Sequence, residues 1–175
     1  MSSQNVIFTK LSPGDLQELT EISRRTFNES FGADNNPKDL ALYLDSVMGE
    51  ENLQRELSNP LSEFYFTKLE GKTVGYFKIN LGDAQTDLRE EDAMELERLY
   101  VSPNFQNRKI GQKMLDTVIE MAIQRKMRYL WLGVWEKNIR AMEFYKRNHF
   151  EFSGTHPYMV GNDLQTDIIM KLFLQ

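Results

Sequence analysis

The chain contains no cysteine. Disulfides, thiolate metal sites and cysteine nucleophiles are therefore excluded, and a reducing cytoplasm is compatible with the composition. Two histidines are present, His149 and His156, with no second cluster of ligands, so a metal site is not expected. No apolar run is long enough to span a bilayer, so a membrane partner is not expected. The start, MSSQNVIFTK, lacks the basic head and apolar middle of a secretion signal. An excess of positive charge is missing as well. Lys and Arg number 21 against 26 Asp and Glu, a formal net charge of −5. That balance argues against nucleic acid as a partner. There is no G-x-x-x-x-G-K-[ST] and no G-x-G-x-x-G, which excludes a P-loop nucleotidase and argues against a dinucleotide fold.

What is present suits one domain over residues 1–175. Hydrophobic residues make up 41% and charged residues 27% of the 175, enough for a core under an ordinary polar surface. No repeat, linker or low-complexity tract interrupts it. VIFTKLS reads as a strand, and Ser12 with Pro13 reads as a helix start. Leu16, Leu19, Ile22, Phe27 and Phe31 then recur at near-helical spacing. After GADNNP, one further helix is expected from Pro37 to Asn59–Pro60. EFYFTKLEGKTVGYFKINLG reads as a hairpin, AMELERLYV as an alternating strand, and IGQKMLDTVIEMAIQRK as a helix burying Met114, Leu115, Val118, Ile119 and Ala122. YLWLGVWE is a strand, NIRAMEFYKRN a short helix, and two strands close the chain. The order predicts an α/β (α+β) fold: a mixed, mostly antiparallel sheet with helices on both faces. The strand–helix–strand from Met94 to Trp135 is expected to be a right-handed crossover between parallel strands.

Three stretches carry possible chemistry. Between Gly82 and Glu97 lie seven acids and one base, Arg89. The run is either a solvated loop or a surface that attracts cations. In VSPNFQNRKIGQKML a strand gives way to a helix start. Gln106, Asn107, Arg108 and Lys109 bring donors and positive charge to that turn, and Gly111 allows close backbone approach. The loop is either an ordinary basic helix entrance or a cradle for phosphate, because the first amides of a helix lack intrahelical acceptors. Tyr76, Phe77, Trp131, Trp135 and Tyr158 could line a groove, although most aromatic residues of this kind are core.

LERLYVSPNFQNRKIGQKML resembles motif A of the GCN5-related N-acetyltransferases, the GNAT family. Gln106 and Gly111 match its pattern, whereas Lys109 replaces the first glycine. WEKNIRAMEFYKRNHF resembles motif B: Asn138, Ala141, Phe144, Tyr145 and Phe150 match, and His149 stands where glycine is usual. A left-handed cap is often needed there, and Asn148 tolerates one better than most residues. The element order agrees over nearly the whole chain. WLGVWEKN, LERLY and QTDIIM are further similar to the PaiA-type spermidine/spermine N-acetyltransferases.

The resemblance implies a sheet whose two central parallel strands splay, with acetyl-CoA as co-substrate lying between them. Leu99, Tyr100 and Val101 would pair with the pantetheine or the thioester carbonyl. The turn from Gln106 through Asn107, Arg108, Lys109, Ile110 and Gly111 to Gln112 would take the pyrophosphate, and Asn138 the pantetheine arm. Tyr145 would be the general acid toward the departing thiolate; read by itself it is a core aromatic. A primary amine has a pKa near ~10 and arrives as an ammonium, so a base is needed. Glu97 and Glu95 lie two apart on one strand face; Glu97 is taken first, and both are otherwise partners for Arg98 or neighbouring strands. The expected partner is a small cationic amine, with the chain a monomer or a homodimer. A GNAT enzyme with another acceptor, such as a protein N-terminus, an antibiotic or an amino acid, and a non-catalytic acetyl-CoA-binding regulator are the alternatives.

Overall fold

In the computed structural model, which describes residues 5–174, the chain begins with strand β1, Val6–Lys10. A tight 3-10 turn over Pro13–Asp15 leads into helix α1, Leu16–Phe31. Ser12 caps the turn as expected, and the Asp15 carboxylate accepts from its amide at 2.9 Å. The helix expected from Pro37 is two helices, α2 at Pro37–Ser46 and α3 at Glu50–Leu57. The break has a packing cause. Leu40, Tyr43 and Met48 join Phe27 and Val160 in one apolar cluster, while Leu53 joins Leu19, Ile22, Phe64, Phe66 and Tyr76 in another. A straight helix cannot serve both. Gly49 turns the chain with an extended backbone, and a Cβ there would sit 2.2 Å from the Asp45 carbonyl oxygen.

Strands β2, Ser62–Leu69, and β3, Lys72–Leu81, form the expected hairpin. Its turn residues Glu70 and Gly71 both have positive φ, as a type I′ turn requires. Next come β4 at Ala93–Val101, α4 at Ile110–Gln124, β5 at Tyr129–Trp135, α5 at Ile139–Arg147, β6 at Glu151–Val160 and β7 at Asp163–Phe173. The sheet order is β1-β2-β3-β4-β5-β7-β6. Neighbours are antiparallel except β4 and β5. Helices cover both faces. Phe77, Ile79 and Leu96 pack toward α4 with Met114, Leu115, Val118 and Ala122, whereas Tyr76, Phe64 and Phe66 pack toward α1 and α3.

Two irregularities in β4 shape the centre of the sheet. Its parallel pairing with β5 stops after Ala93–Tyr129, Met94–Leu130 and Glu95–Trp131, although both strands continue. The two therefore part into an open seam. On the other edge, the register against β3 steps from Lys78–Arg98 to Ile79–Leu96, which leaves Glu97 as the extra residue of a β-bulge. Among the described residues, no helix is long and apolar enough to cross a membrane.

Candidate active site

The seam opens into a cavity of about 240 Å³. Its lining comes from both faces of the sheet, because the gap between β4 and β5 passes through it. Gln106, Asn138, Ala141 and Tyr145 reach it from the α4–α5 side; Phe27, Tyr43, Thr86, Glu95 and Glu97 reach it from the other. Leu99, Tyr100 and Val101 form the β4 wall, and Gly133, Val134 and Trp135 the β5 wall. The Ser102 amide bonds back to the Val74 carbonyl at 2.8 Å. Alternation along the strand then turns the amides of Leu99 and Val101 the other way, into the seam, where β5 no longer supplies acceptors.

The turn into α4 stands beside this wall. Asn107 and Lys109 both have left-handed backbones, with φ of 61° and 60°. Lys109 thus adopts, at the helix N-cap, a conformation that glycine takes more readily. No side chain caps α4, and its first intrahelical bond runs from the Lys113 amide to the Lys109 carbonyl at 3.1 Å. The amides of Ile110, Gly111 and Gln112 are left facing outward, and a Cβ on Gly111 would meet open space. Arg108 lies over the Phe105 ring at 5.3 Å. Gln106 donates to the Val101 carbonyl at 3.1 Å, and Arg140 of α5 donates to Gln106 and Asn107 at 3.3 and 3.0 Å. Gln112 and Asn148 exchange amide hydrogen bonds, tying the start of α4 to the end of α5. An outward row of amides, local positive charge and a strand edge with free donors fit a phosphate-bearing ligand that lies extended in the seam. The residues from Asn107 to Gln112 lie off the cavity wall itself, at its rim.

On α5, Asn138 caps the helix by accepting from the Ala141 amide at 3.1 Å. Tyr145 is half-buried against Phe144 and Phe150, with ring centroids 5.2 and 5.6 Å away. Burial pushes its phenol well up. Its hydroxyl has no hydrogen-bond partner among the described residues, so it stands in the cavity as an uncommitted donor. The left-handed residue after this helix is His149, with φ 68°; Asn148 instead ends the helix and donates to the Phe144 carbonyl at 2.9 Å.

The two glutamates occupy different settings. The Asn80 amide nitrogen bridges them, 2.9 Å from Glu95 Oε2 and 2.7 Å from Glu97 Oε2. Glu97 pairs closely with Lys78 Nζ and lies 3.3 Å from Arg98. Burial works to raise its carboxyl, but Arg98 and Lys78 outweigh that and bring it down to about 2. Glu95 is 2% exposed and has no cationic partner among the described residues. It accepts from the Thr86 amide at 2.8 Å and from the Thr86 hydroxyl. Burial first, and the Glu97 charge second, push it up to about 7. Glu97, ranked first from the sequence, is therefore fixed as an anion by two cations, whereas Glu95 can exchange a proton near neutrality.

The acidic run divides. Glu90 and Asp92 pair with Arg128 at the surface. Asp87 instead reaches His156, its carboxylate 3.1 Å from Nδ1, while Asp167 lies 3.6 Å from His156 Nε2. Hydrogen bonding to Asp167 leads in raising the His156 imidazole, against burial, with Asp87 adding to it. Of the aromatic residues, Trp135 and Tyr158 line the cavity, and the Tyr158 and Tyr43 hydroxyls hydrogen-bond there. Tyr76, Phe77 and Trp131 are fully buried core. Sequence reasoning passed over Lys78, Asn80 and Thr86, and weighed His156 only as a metal ligand. The visible signal for the first two was a pair of polar residues, two apart, inside the apolar run of β3.

A model of the Acetyltransferase (GNAT) family matches residues 16–150. The chain is 37% identical over 166 residues to the uncharacterized N-acetyltransferase of the pepI 3′ region in Lactobacillus delbrueckii subsp. lactis, covering 95% of this chain and 96% of that one. It is 29% identical over 115 residues to the spermine/spermidine N(1)-acetyltransferase of Bacillus subtilis (strain 168), covering 64% and 73% respectively. The solved structure of the PaiA N-acetyltransferase from Thermoplasma acidophilum in complex with coenzyme A has the same fold, with a TM-score of 0.78 at 20% identity over 97% of this chain and 99% of that one. The family match runs through the split strands, the turn into α4 and helix α5, and the chain belongs to the GNAT acetyltransferases.

Proposed function

We propose that the chain transfers the acetyl group of acetyl-CoA to a cationic primary amine of the polyamine class, spermidine or spermine. The observation that carries this is a charge imbalance beside the cavity. Lys78 and Arg98 are two buried cations among three carboxylates, Glu56, Glu97 and Glu95. The first two carboxylates hold both cations, and Glu95 is left without one. An ammonium entering the cavity supplies that missing charge.

Acetyl-CoA supplies an activated acetyl thioester. Amides of Ile110, Gly111 and Gln112, with Arg108 and Lys109 nearby, receive its phosphates, and Asn138 borders its arm. Glu95 accepts the proton that the ammonium must lose before its nitrogen can attack. The seam-facing amides of Leu99 and Val101 donate toward the carbonyl oxygen, where negative charge builds up as the C–N bond forms. As the C–S bond breaks, Tyr145 gives its hydroxyl proton to the sulfur, and the second proton, which the nitrogen sheds in becoming an amide, restores the phenol; its high proton affinity suits a group that must arrive protonated. The likeness to the Bacillus spermine/spermidine enzyme and the further carboxylates Asp87 and Asp167 favour a polyamine. One observation favours an amine of single charge: His156 already engages both of those carboxylates.

Initial rates of CoA release with spermidine, spermine, lysine and a peptide amine test the reading. A preference for the polyamines is expected, and preference for a peptide or amino acid would move the acceptor. With the best amine, kcat/KM should rise with pH through about 7, because Glu95 acts only when ionised. In Glu95→Gln the rate should fall by about 10²-fold or more and this rise should vanish. An unchanged rise would remove Glu95 from the reaction.

A further inference from the structure

We infer that Glu97 takes no proton from the acceptor and is instead a positioning residue, a permanent anion locked among Lys78, Arg98 and Glu56 that aims and tunes Glu95 through Asn80. The inference rests on the reading of Glu95 as the base.

The geometry leaves Glu97 no free oxygen. Its Oε1 receives Arg98, and its Oε2 receives both Lys78 and Asn80. Glu56 of α3 closes the ring. It lies 3.2 Å from Lys78 Nζ and accepts from Arg98 with both oxygens, at 2.9 and 3.1 Å. The Phe64 ring floors the cage, with Lys78 and Arg98 at 5.4 and 5.9 Å from its centroid. Two positive and two negative groups thus cancel, and each anion touches both cations. A closed and neutral set of this kind holds Glu97 as an anion, because protonating it would leave a buried cation short of a partner.

Asn80 connects this cage to Glu95. Its side-chain oxygen accepts from the Ser62 hydroxyl at 2.9 Å, so its amide nitrogen must point at the two carboxylates. The bulge places Glu97 within reach of the same nitrogen. One neutral amide therefore holds two acidic side chains together, and the permanently charged one opposes ionisation of the other. Other titratable groups line the same cavity: Tyr43 from α2, Tyr100 from β4, Tyr145 from α5, His156 and Tyr158 from β6, and Asp167 from β7, with Asp87 against His156. All are left unchanged in the test.

The test is the pH profile of kcat/KM with the best amine for the wild type, Glu97→Gln, Asn80→Ala and the double variant Lys78→Met/Glu97→Gln. Removing the neighbouring anion should move the low-pH limb to lower pH by about one unit. Removing the amide that stabilises charged Glu95 should move it to higher pH. The double variant deletes one charge of each sign, so it can fold where a single deletion strands a cation; its limb should move down by less than in Glu97→Gln, because the lost Lys78 cation partly offsets the lost anion. Acetyl-CoA affinity by calorimetry should stay within a few-fold throughout. A limb fixed at the wild-type pH in both Glu97 variants, or moving the same way in Glu97→Gln and Asn80→Ala, overturns the inference. Loss of the limb in Glu95→Gln together with a fixed limb in the Glu97 variants would sink this inference alone. Retention of the limb in Glu95→Gln would sink the base assignment beneath it.

Discussion

Tyr145 is the residue whose local setting says least and whose surroundings say most. On α5 it packs as any half-buried aromatic does, between Phe144 and Phe150. What distinguishes it is a hydroxyl that reaches the cavity and finds no acceptor among the described residues. Phenylalanine keeps the ring packing and removes that proton. Tyr145→Phe should therefore lose about 10²–10⁴-fold in kcat with acetyl-CoA affinity, measured by calorimetry, within a few-fold; a normal kcat would release Tyr145 from the chemistry. Tyr145, Asn138 and the pair Glu95–Glu97 were visible in the sequence because they sit in local patterns. The different settings of the two glutamates, and so the division of labour proposed for them, were not. Those settings come from Lys78, Asn80 and Glu56, which lie on other elements and meet the pair only through the β3–β4 register and the approach of α3. Residues that act on a site from another strand leave no spacing to read.

At the level of elements, the strands and helices were legible wherever hydrophobic period and turn chemistry agreed. The break between α2 and α3 was not, since both halves keep a helical period and only the division of Met48 and Leu53 between two clusters requires it. The bulge at Glu97 was equally hidden, because an alternating strand looks the same with or without one extra residue. Both positions where glycine was expected and absent resolve in one way: Lys109 and His149 each take the left-handed backbone. Holding a side chain there costs about 1–2 kcal/mol. His149 is exposed, so His149→Gly should raise stability by about 1 kcal/mol, seen as an increase of about 2–4 °C in Tm by calorimetry. No gain in Tm would mean that the imidazole makes a compensating interaction. Lys109 carries the same strain beside the amides proposed to hold phosphate, where a positive side chain has a use that glycine lacks.

The whole molecule is organised around one weak line. Strands β1 to β4 pair continuously, and so do β5, β7 and β6, but the two groups meet in the sheet through three residue pairs. A ligand lying in the seam and bonding to the free edge of β4 would act as the missing strand between them. Acetyl-CoA at 100 times its Kd should then raise unfolding stability by about 2.7 kcal/mol, measured as a concentration-dependent Tm. A ligand that left Tm unmoved at that excess would not occupy the folded seam.

That narrow join also has a consequence for motion. Amides that face the open seam have no strand partner to protect them from solvent, and the two groups of strands can open on free energies of their own. In deuterium exchange of the free protein, Leu99 and Val101 should label early, although both lie in strand β4. The β6–β7 hairpin should label on a different timescale from β2–β3. With acetyl-CoA bound, the two timescales should draw together, so that a small molecule, more than the polypeptide itself, decides whether this sheet breathes as one body or two.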